Sequence, residues 1–289
     1  MGNLIKKSWL VFAIITTVFW GVWGAFIEIP EKAGFPATLG YSVWALTMIP
    51  CAIVALYLIN WRLEYDLRSI FLGCIVGLTG AGGQLVLFQA LRNGPAYIVF
   101  PIISLFPIVT IALSTGFLKE RANTKQWIGI ILALIAVIFL SYQEPNSEGA
   151  NSTGWLFLTA LVFLMWGIQA FVMKFSNETM QAESIFFYMM VTGVMLIPIA
   201  ILMTDFSQDI NWGFDGPYLA AGIHLLNSIG ALMLVYAVRY GKSIIVVPMT
   251  GLSPLITVAI SLIIYSVIPG VFLSVGVVLA LIAIVLLSE

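Results

Sequence analysis

The sequence predicts an all-α integral membrane protein whose ten transmembrane helices form two inverted five-helix repeats. Three observations carry that expectation. The first is composition: of 289 residues, 61% are hydrophobic and only 9% charged, whereas a soluble domain carries about 25% charged residues. With a mean hydropathy of +1.08, much of the surface must face lipid. The second is duplication. Residues 77–140 align with 224–287 at a constant spacing of 147, without a gap. Gly83, Arg92, Gly94, Pro101, Pro107 and Thr110 recur as Gly230, Arg239, Gly241, Pro248, Pro254 and Thr257. Apolar identities arise by chance in such a chain; prolines, glycines and an arginine held in one register weigh more, and mark a duplicated unit. The third is parity. A unit with an odd number of spans ends on the opposite side of the membrane from its start, so its copy must insert upside down. Inverted repeats of this kind build secondary transporters, whose two halves can rock about a central site.

A helix needs about 20 apolar residues to cross a hydrocarbon core of about 30 Å. Ten such stretches run at roughly 10–28, 38–59, 69–91, 96–118, 126–142, 154–174, 184–203, 217–238, 244–265 and 270–288. The first follows Lys6 and Lys7 as a signal core would. It is too long for one, no small-residue cleavage site follows, and it reads as an uncleaved span. The last two nearly fuse at Pro269-Gly270, but the polar break Lys119 to Lys125 has its repeat partner at 266–272, which separates them. The polar segment 143–153 is the linker. It leaves 1–142 as the first repeat and 154–289 as the second, with an Asn151-Ser152-Thr153 glycosylation sequon that matters only in a eukaryotic secretory setting.

Basic residues orient the spans. With both termini in the cytoplasm, Lys6, Lys7, Arg62, Arg68, Lys119, Arg121, Lys125, Lys174, Arg239 and Lys242 lie inside, and only Lys32 and Arg92 outside. The outer loops carry Glu28, Glu31, Glu144, Glu148, Asp205, Asp209 and Asp215. The expected location is the cytoplasmic (inner) membrane. A net charge of −1 offers nothing to nucleic acid. Cys51 and Cys74 read as small packing residues, too few for a disulfide framework or a metal site. No cofactor, metal or catalytic residue is expected, and the partners are the lipid bilayer and a small solute, the protein acting as a monomer or weak dimer.

Several residues stand out as candidates for a solute site. Trp20, Trp23 and Trp166 lie about halfway into their spans rather than at the interface where tryptophan anchors, and Trp20 and Trp166 are repeat partners. Gln84, Gln169, His224 and Asn227 are costly to expose to lipid and point to a cavity. Ser104, Ser253, Thr110 and Thr257 are equally deep, but hydroxyls commonly bond back to their own helix. Pro101, Pro107, Pro248 and Pro254 fall inside the fourth and ninth spans, where each removes a backbone donor and kinks the helix; two kinked helices would line the cavity. Gly241-Lys242-Ser243 ends like a phosphate-binding loop, but the first glycine of that motif falls at Tyr236 and no strand precedes it. A tight turn at the cytoplasmic surface explains it. No carboxylate lies near the middle of a span, so proton coupling would fall to His224 or Glu28, and uniport or exchange fits as well.

These residues also carry a resemblance. Phe19-Trp20-Gly21, Met165-Trp166-Gly167, the run Gln89 to Gly94 leading to Pro101 and Pro107, Lys119-Glu120-Arg121, Gln126-Trp127-Ile128-Gly129, and Ala237 to Gly241 followed by Pro248 and Pro254 resemble the EamA-type carriers of the drug/metabolite transporter superfamily. The resemblance spans nearly the whole chain. It departs where Glu120 aligns with Val267 instead of a second glutamate. It implies ten helices in two repeats, and transport of small polar or amphipathic metabolites such as sugars or amino acids, often outward, without ATP hydrolysis. Two other classes compete. A channel would usually be a symmetric oligomer with a pore ring, which an internal duplication argues against. An intramembrane enzyme would need paired acids or a metal cluster.

Overall fold

The computed structural model describes residues 2–142, 154–265 and 270–288. The linker 143–153, with its sequon, and most of the break expected at 266–272 lie outside them. Everything described is helix and turn. Among the described residues, nine helical spans are long and apolar enough to cross a membrane, and Thr124–Leu140 is a shorter apolar helix.

Helix α1 (Gly2–Phe26) is followed by a single turn, α2 (Glu28–Lys32). The second and third spans are α3 (Ala37–Leu58) and α4 (Leu67–Asn93). Asp66 caps α4, accepting from the amides of Arg68 and Ser69 at 3.1 Å each. A hydrogen bond from the Ser69 side chain, followed by these amide bonds, holds its carboxyl below the usual range. The fourth span is two helices, α5 (Ala96–Ser104) and α6 (Pro107–Gly116), and the fifth is α7 (Thr124–Leu140). A capping box starts α7: Asn123 accepts from the Gln126 amide while the Gln126 side chain accepts from the Asn123 amide.

The second half of the chain is helical in the same way. It contains α8 (Gly154–Ser176), then α9 (Ala182–Met195) with α10 (Ile197–Leu202), then α11 (Leu219–Tyr240) entered through a turn at Phe214–Tyr218. The ninth span divides into α12 (Ser243–Thr250) and α13 (Ser253–Tyr265), and α14 (Val271–Ser288) closes the chain. The breaks have a common cause. Pro107, Pro198 and Pro254 each sit in the first turn of the helix after a break, where a missing amide costs nothing and the ring blocks continuation from the preceding turn. The interruption before Pro198 was not among the expected kinks, and Pro50 lies inside α3 without a break.

Packing does not follow the sequence halves. One bundle contains α1, α3, α11 and the α12–α13 pair; the other contains α8, α9, α4 and the α5–α6 pair; α7 lies against α14 beside them. Each bundle mixes spans from both halves. The bundles meet where α3 lies against α9 and α10 and where α6 lies against α12. Contacts therefore group the spans into these mixed bundles, not into the two halves of the sequence.

Candidate functional site

The contacts that hold each bundle occur in matched pairs. The Trp166 indole donates to the Gly80 carbonyl at 3.3 Å, and the Trp20 indole donates to the Asn227 carbonyl at 3.2 Å. Thr110 Oγ1 donates to the Gly167 carbonyl, and Thr257 Oγ1 donates to the Gly21 carbonyl, both at 2.9 Å. The glycines match too. A Cβ on Gly83 would lie 2.6 Å from the Trp166 indole nitrogen, and one on Gly230 2.6 Å from the Trp20 ring. A Cβ on Gly167 would stand 2.4 Å from Val109 Cβ and 2.8 Å from the Phe106 carbonyl; on Gly21 the same distances recur to Ile256 and Ser253. The Trp-Gly dipeptide thus has a double function in each bundle. The tryptophan covers a glycine of α4 or α11, and its glycine admits the helix break after α5 or α12.

The candidate residues fall into two groups around these contacts. On one side Trp20, Trp23, His224 and Asn227 come together. Trp23 Nε1 donates to His224 Nδ1 at 3.1 Å, so the imidazole carries its proton on Nε2. His224 Nε2 faces Gly40 of α3, where a Cβ would lie 3.4 Å away. Trp44, which sequence reasoning passed over, completes the group by donating from Nε1 to Asn227 Oδ1 at 2.8 Å. Thr47 and Ser228 hydroxyls lie 2.9 Å apart one turn further on. Trp44 escaped notice because its alignment partner is not a tryptophan, and the repeat was the signal that drew attention to Trp20 and Trp166.

On the other side are Trp166 and Gln169, the latter folded over Gly80. Gln84 lies one turn along α4 from Gly80, half-buried. Among the described residues, no buried side-chain nitrogen or oxygen lacks a hydrogen-bond partner. Pro101 and Pro248 lie within α5 and α12, and Pro107 and Pro254 begin the helices beyond the breaks. All four indole donors named here bond within the protein. What these tryptophans can offer a solute is their ring faces, so hydrogen bonding falls to the amides.

A second constellation lies at the face carrying most basic residues. Glu120, 8% exposed, follows α6 and reaches the start of α12. It accepts from the amides of Ser243 and Ile244 at 3.1 Å each and from the Ser243 hydroxyl at 2.9 Å. The Gly241-Lys242-Ser243 turn is thus a helix start whose donors are occupied by this chain's own carboxylate. Lys174 lies 3.9 Å from Glu120 and donates to the carbonyls of Val238 and Gly241 at 3.0 and 2.8 Å. Arg239 donates to the Met180 carbonyl at 2.9 Å and to Asn177 Oδ1 at 3.5 Å, and Asn177 Nδ2 donates to the Val235 carbonyl at 3.2 Å. Apart from the Lys174–Glu120 pair, which lies within one bundle, these links join one bundle to the other. Among the described residues no group of three or more metal-ligating side chains occurs.

A family model described as the EamA-like transporter family matches residues 7–142 and again 153–289. The chain belongs to this family. It is a family of transporters within the drug/metabolite superfamily, not of enzymes. An uncharacterized protein of Methanocaldococcus jannaschii is 33% identical over 132 residues, which are 46% of this chain but 95% of that protein. Two uncharacterized transporters of Archaeoglobus fulgidus are 29% and 23% identical over 48% and 60% of this chain; the matches span 49% and 59% of their lengths. A crystal structure of a protein 14% identical superimposes with a TM-score of 0.77, covering 96% of this chain and 97% of that one. It shares the fold. This EamA-like chain is thus a multi-pass membrane transporter, with an architecture common to a protein of very different sequence.

Proposed function

We propose that this EamA-like protein is a secondary carrier of two oppositely inserted five-span repeats that moves a small uncharged or zwitterionic organic solute by alternating access. The observation that carries this reading is the matched pair of indole contacts, Trp166 to Gly80 and Trp20 to Asn227. Equivalent residues make equivalent bonds in two bundles, and each bundle takes helices from both halves. Two such bodies can exchange conformations, which a fixed pore has no need to do. The solute passes between the Trp20, Trp23, Trp44, His224 and Asn227 group and the Trp166, Gln169 and Gln84 group. Ring faces and amides suit a solute with an apolar or flat face and a few polar edges, such as an amino acid or a small ring compound. The four prolines let the fourth and ninth spans bend between states.

A thermal-shift screen against uncharged metabolites, followed by counterflow of any hit in liposomes, tests the assignment. Trans-stimulated uptake that is reduced at least about tenfold in Asn227→Leu is expected, since a binding group worth ~1.4 kcal/mol changes affinity tenfold. Uptake without trans-stimulation would make the protein a channel. The proposal also places both termini in the cytoplasm of a cell membrane. Single cysteines in Asn151→Cys and Lys119→Cys variants, each lacking Cys51 and Cys74, should label from outside only at position 151. Labelling at 119 from outside reverses the orientation.

A further inference from the structure

The basic face is held shut by links between α8 and the C-terminal end of α11, and the same positions in the other repeat carry different side chains. Contacts fix the alignment. Trp9 packs against Gly241 as Trp155 packs against Gly94, and Thr257 meets Gly21 as Thr110 meets Gly167. In that register Arg239 corresponds to Arg92, and Asn177, on the segment just after α8, corresponds to Glu31. Arg239 bonds to Asn177 and α8 touches α11. At the opposite face α1 and α4 scarcely touch, and both Arg92 and Glu31 are exposed.

We propose that Arg92 and Glu31 form the gate pair of the other state, joining the ends of α4 and the first span when the outer face closes and the basic face opens. The proposal rests on the inverted-repeat reading above. Chemistry favours it beyond position alone. Where the basic face pairs a guanidinium with an amide, the outer face would pair a guanidinium with a carboxylate, the stronger and more directional contact. The neighbouring charges are otherwise engaged or identifiable. Glu28 is bonded to Lys32 at 2.6 Å. Asp205, on the loop after α10, is close enough to Arg92 to feel its charge, and is the competing partner.

The test uses the full chain with Cys51 and Cys74 replaced by alanine. Glu120→Gln loosens the basic face, and labelling of a Ser114→Cys variant, a position buried beside Ser243, reports its opening. An Ala33→Cys/Ala96→Cys variant, which flanks the pair and keeps Glu31 and Arg92 in place, treated with a short bifunctional thiol reagent, reports outer closure. Glu120→Gln should raise both labelling and cross-linking by about tenfold or more, the equilibrium factor for weakening one hydrogen bond to a charged group. Arg92→Glu should cancel the rise in labelling, and adding Glu31→Arg should restore it. Labelling that rises without cross-linking overturns the gate pair and leaves alternating access standing. Failure of the double reversal to restore labelling, or an equal loss in Asp205→Asn, assigns the role elsewhere. If labelling does not rise at all, no second state is reached and the carrier reading falls with the pair.

Discussion

Replacing Glu120 by alanine is expected to destabilise the closed basic face by about 3 kcal/mol, because the loss of one hydrogen-bonded buried carboxylate typically costs that much. The side chain is 8% exposed and receives three hydrogen bonds from the start of α12. Without it the Ser243 and Ile244 amides lose their acceptor at a helix terminus that no other residue caps. Lys174 keeps the Val238 and Gly241 carbonyls, so the damage is concentrated at α12. The readouts are the melting temperature in detergent, expected to fall by several degrees, and increased cysteine labelling at the basic face. Glu28→Ala is the contrast. Its bond to Lys32, at 2.6 Å, is shorter than any that Glu120 makes, but the two side chains are 65% and 67% exposed, and solvated pairs contribute about 0–1 kcal/mol. Equal losses in the two variants would show that water replaces the Glu120 carboxylate freely and that the network is no latch.

Gly21→Ala and Gly167→Ala should each destabilise the protein by about 1–3 kcal/mol or more, the range for forcing a methyl into a packed core. Each new Cβ would meet another Cβ at 2.4 Å and a backbone carbonyl at 2.8 Å. The carbonyls belong to Phe106 and Ser253, at the interruptions of the fourth and ninth spans. A backbone atom cannot rotate away, so the broken helix must move, and transport should fall in both variants. Gly222→Ala reverses the sign. Nothing lies within 4 Å of a Cβ there, and alanine in a helix is favoured over glycine by about 0.5–1 kcal/mol. Thermal unfolding of the three purified variants decides the matter. A well-tolerated Gly21→Ala would mean that the α12–α13 break is not held against α1.

The place of the apolar spans was legible, with nine of the expected ten long enough to cross among the described residues, because lipid imposes a rule that a single sequence must obey: every crossing needs a long apolar run, and every polar break shows. The matching of prolines, glycines and Arg92 with Arg239 made the duplication legible, and the breaks near Pro107 and Pro254 followed from the chemistry of proline. Trp20 and Trp166 drew attention through their equivalence, and their indoles make equivalent bonds. The partition into bundles was not legible, since hydropathy says that a helix is buried in lipid but not which helix it lies against. Trp44 needed Asn227 to be brought beside it from 183 residues away. Glu120 looked like one more charge in a cytoplasmic loop, and its partner Ser243 like the tail of a phosphate loop. Only tertiary packing, by placing one at the start of the other's helix and burying both, turned them into a link between α6 and α12.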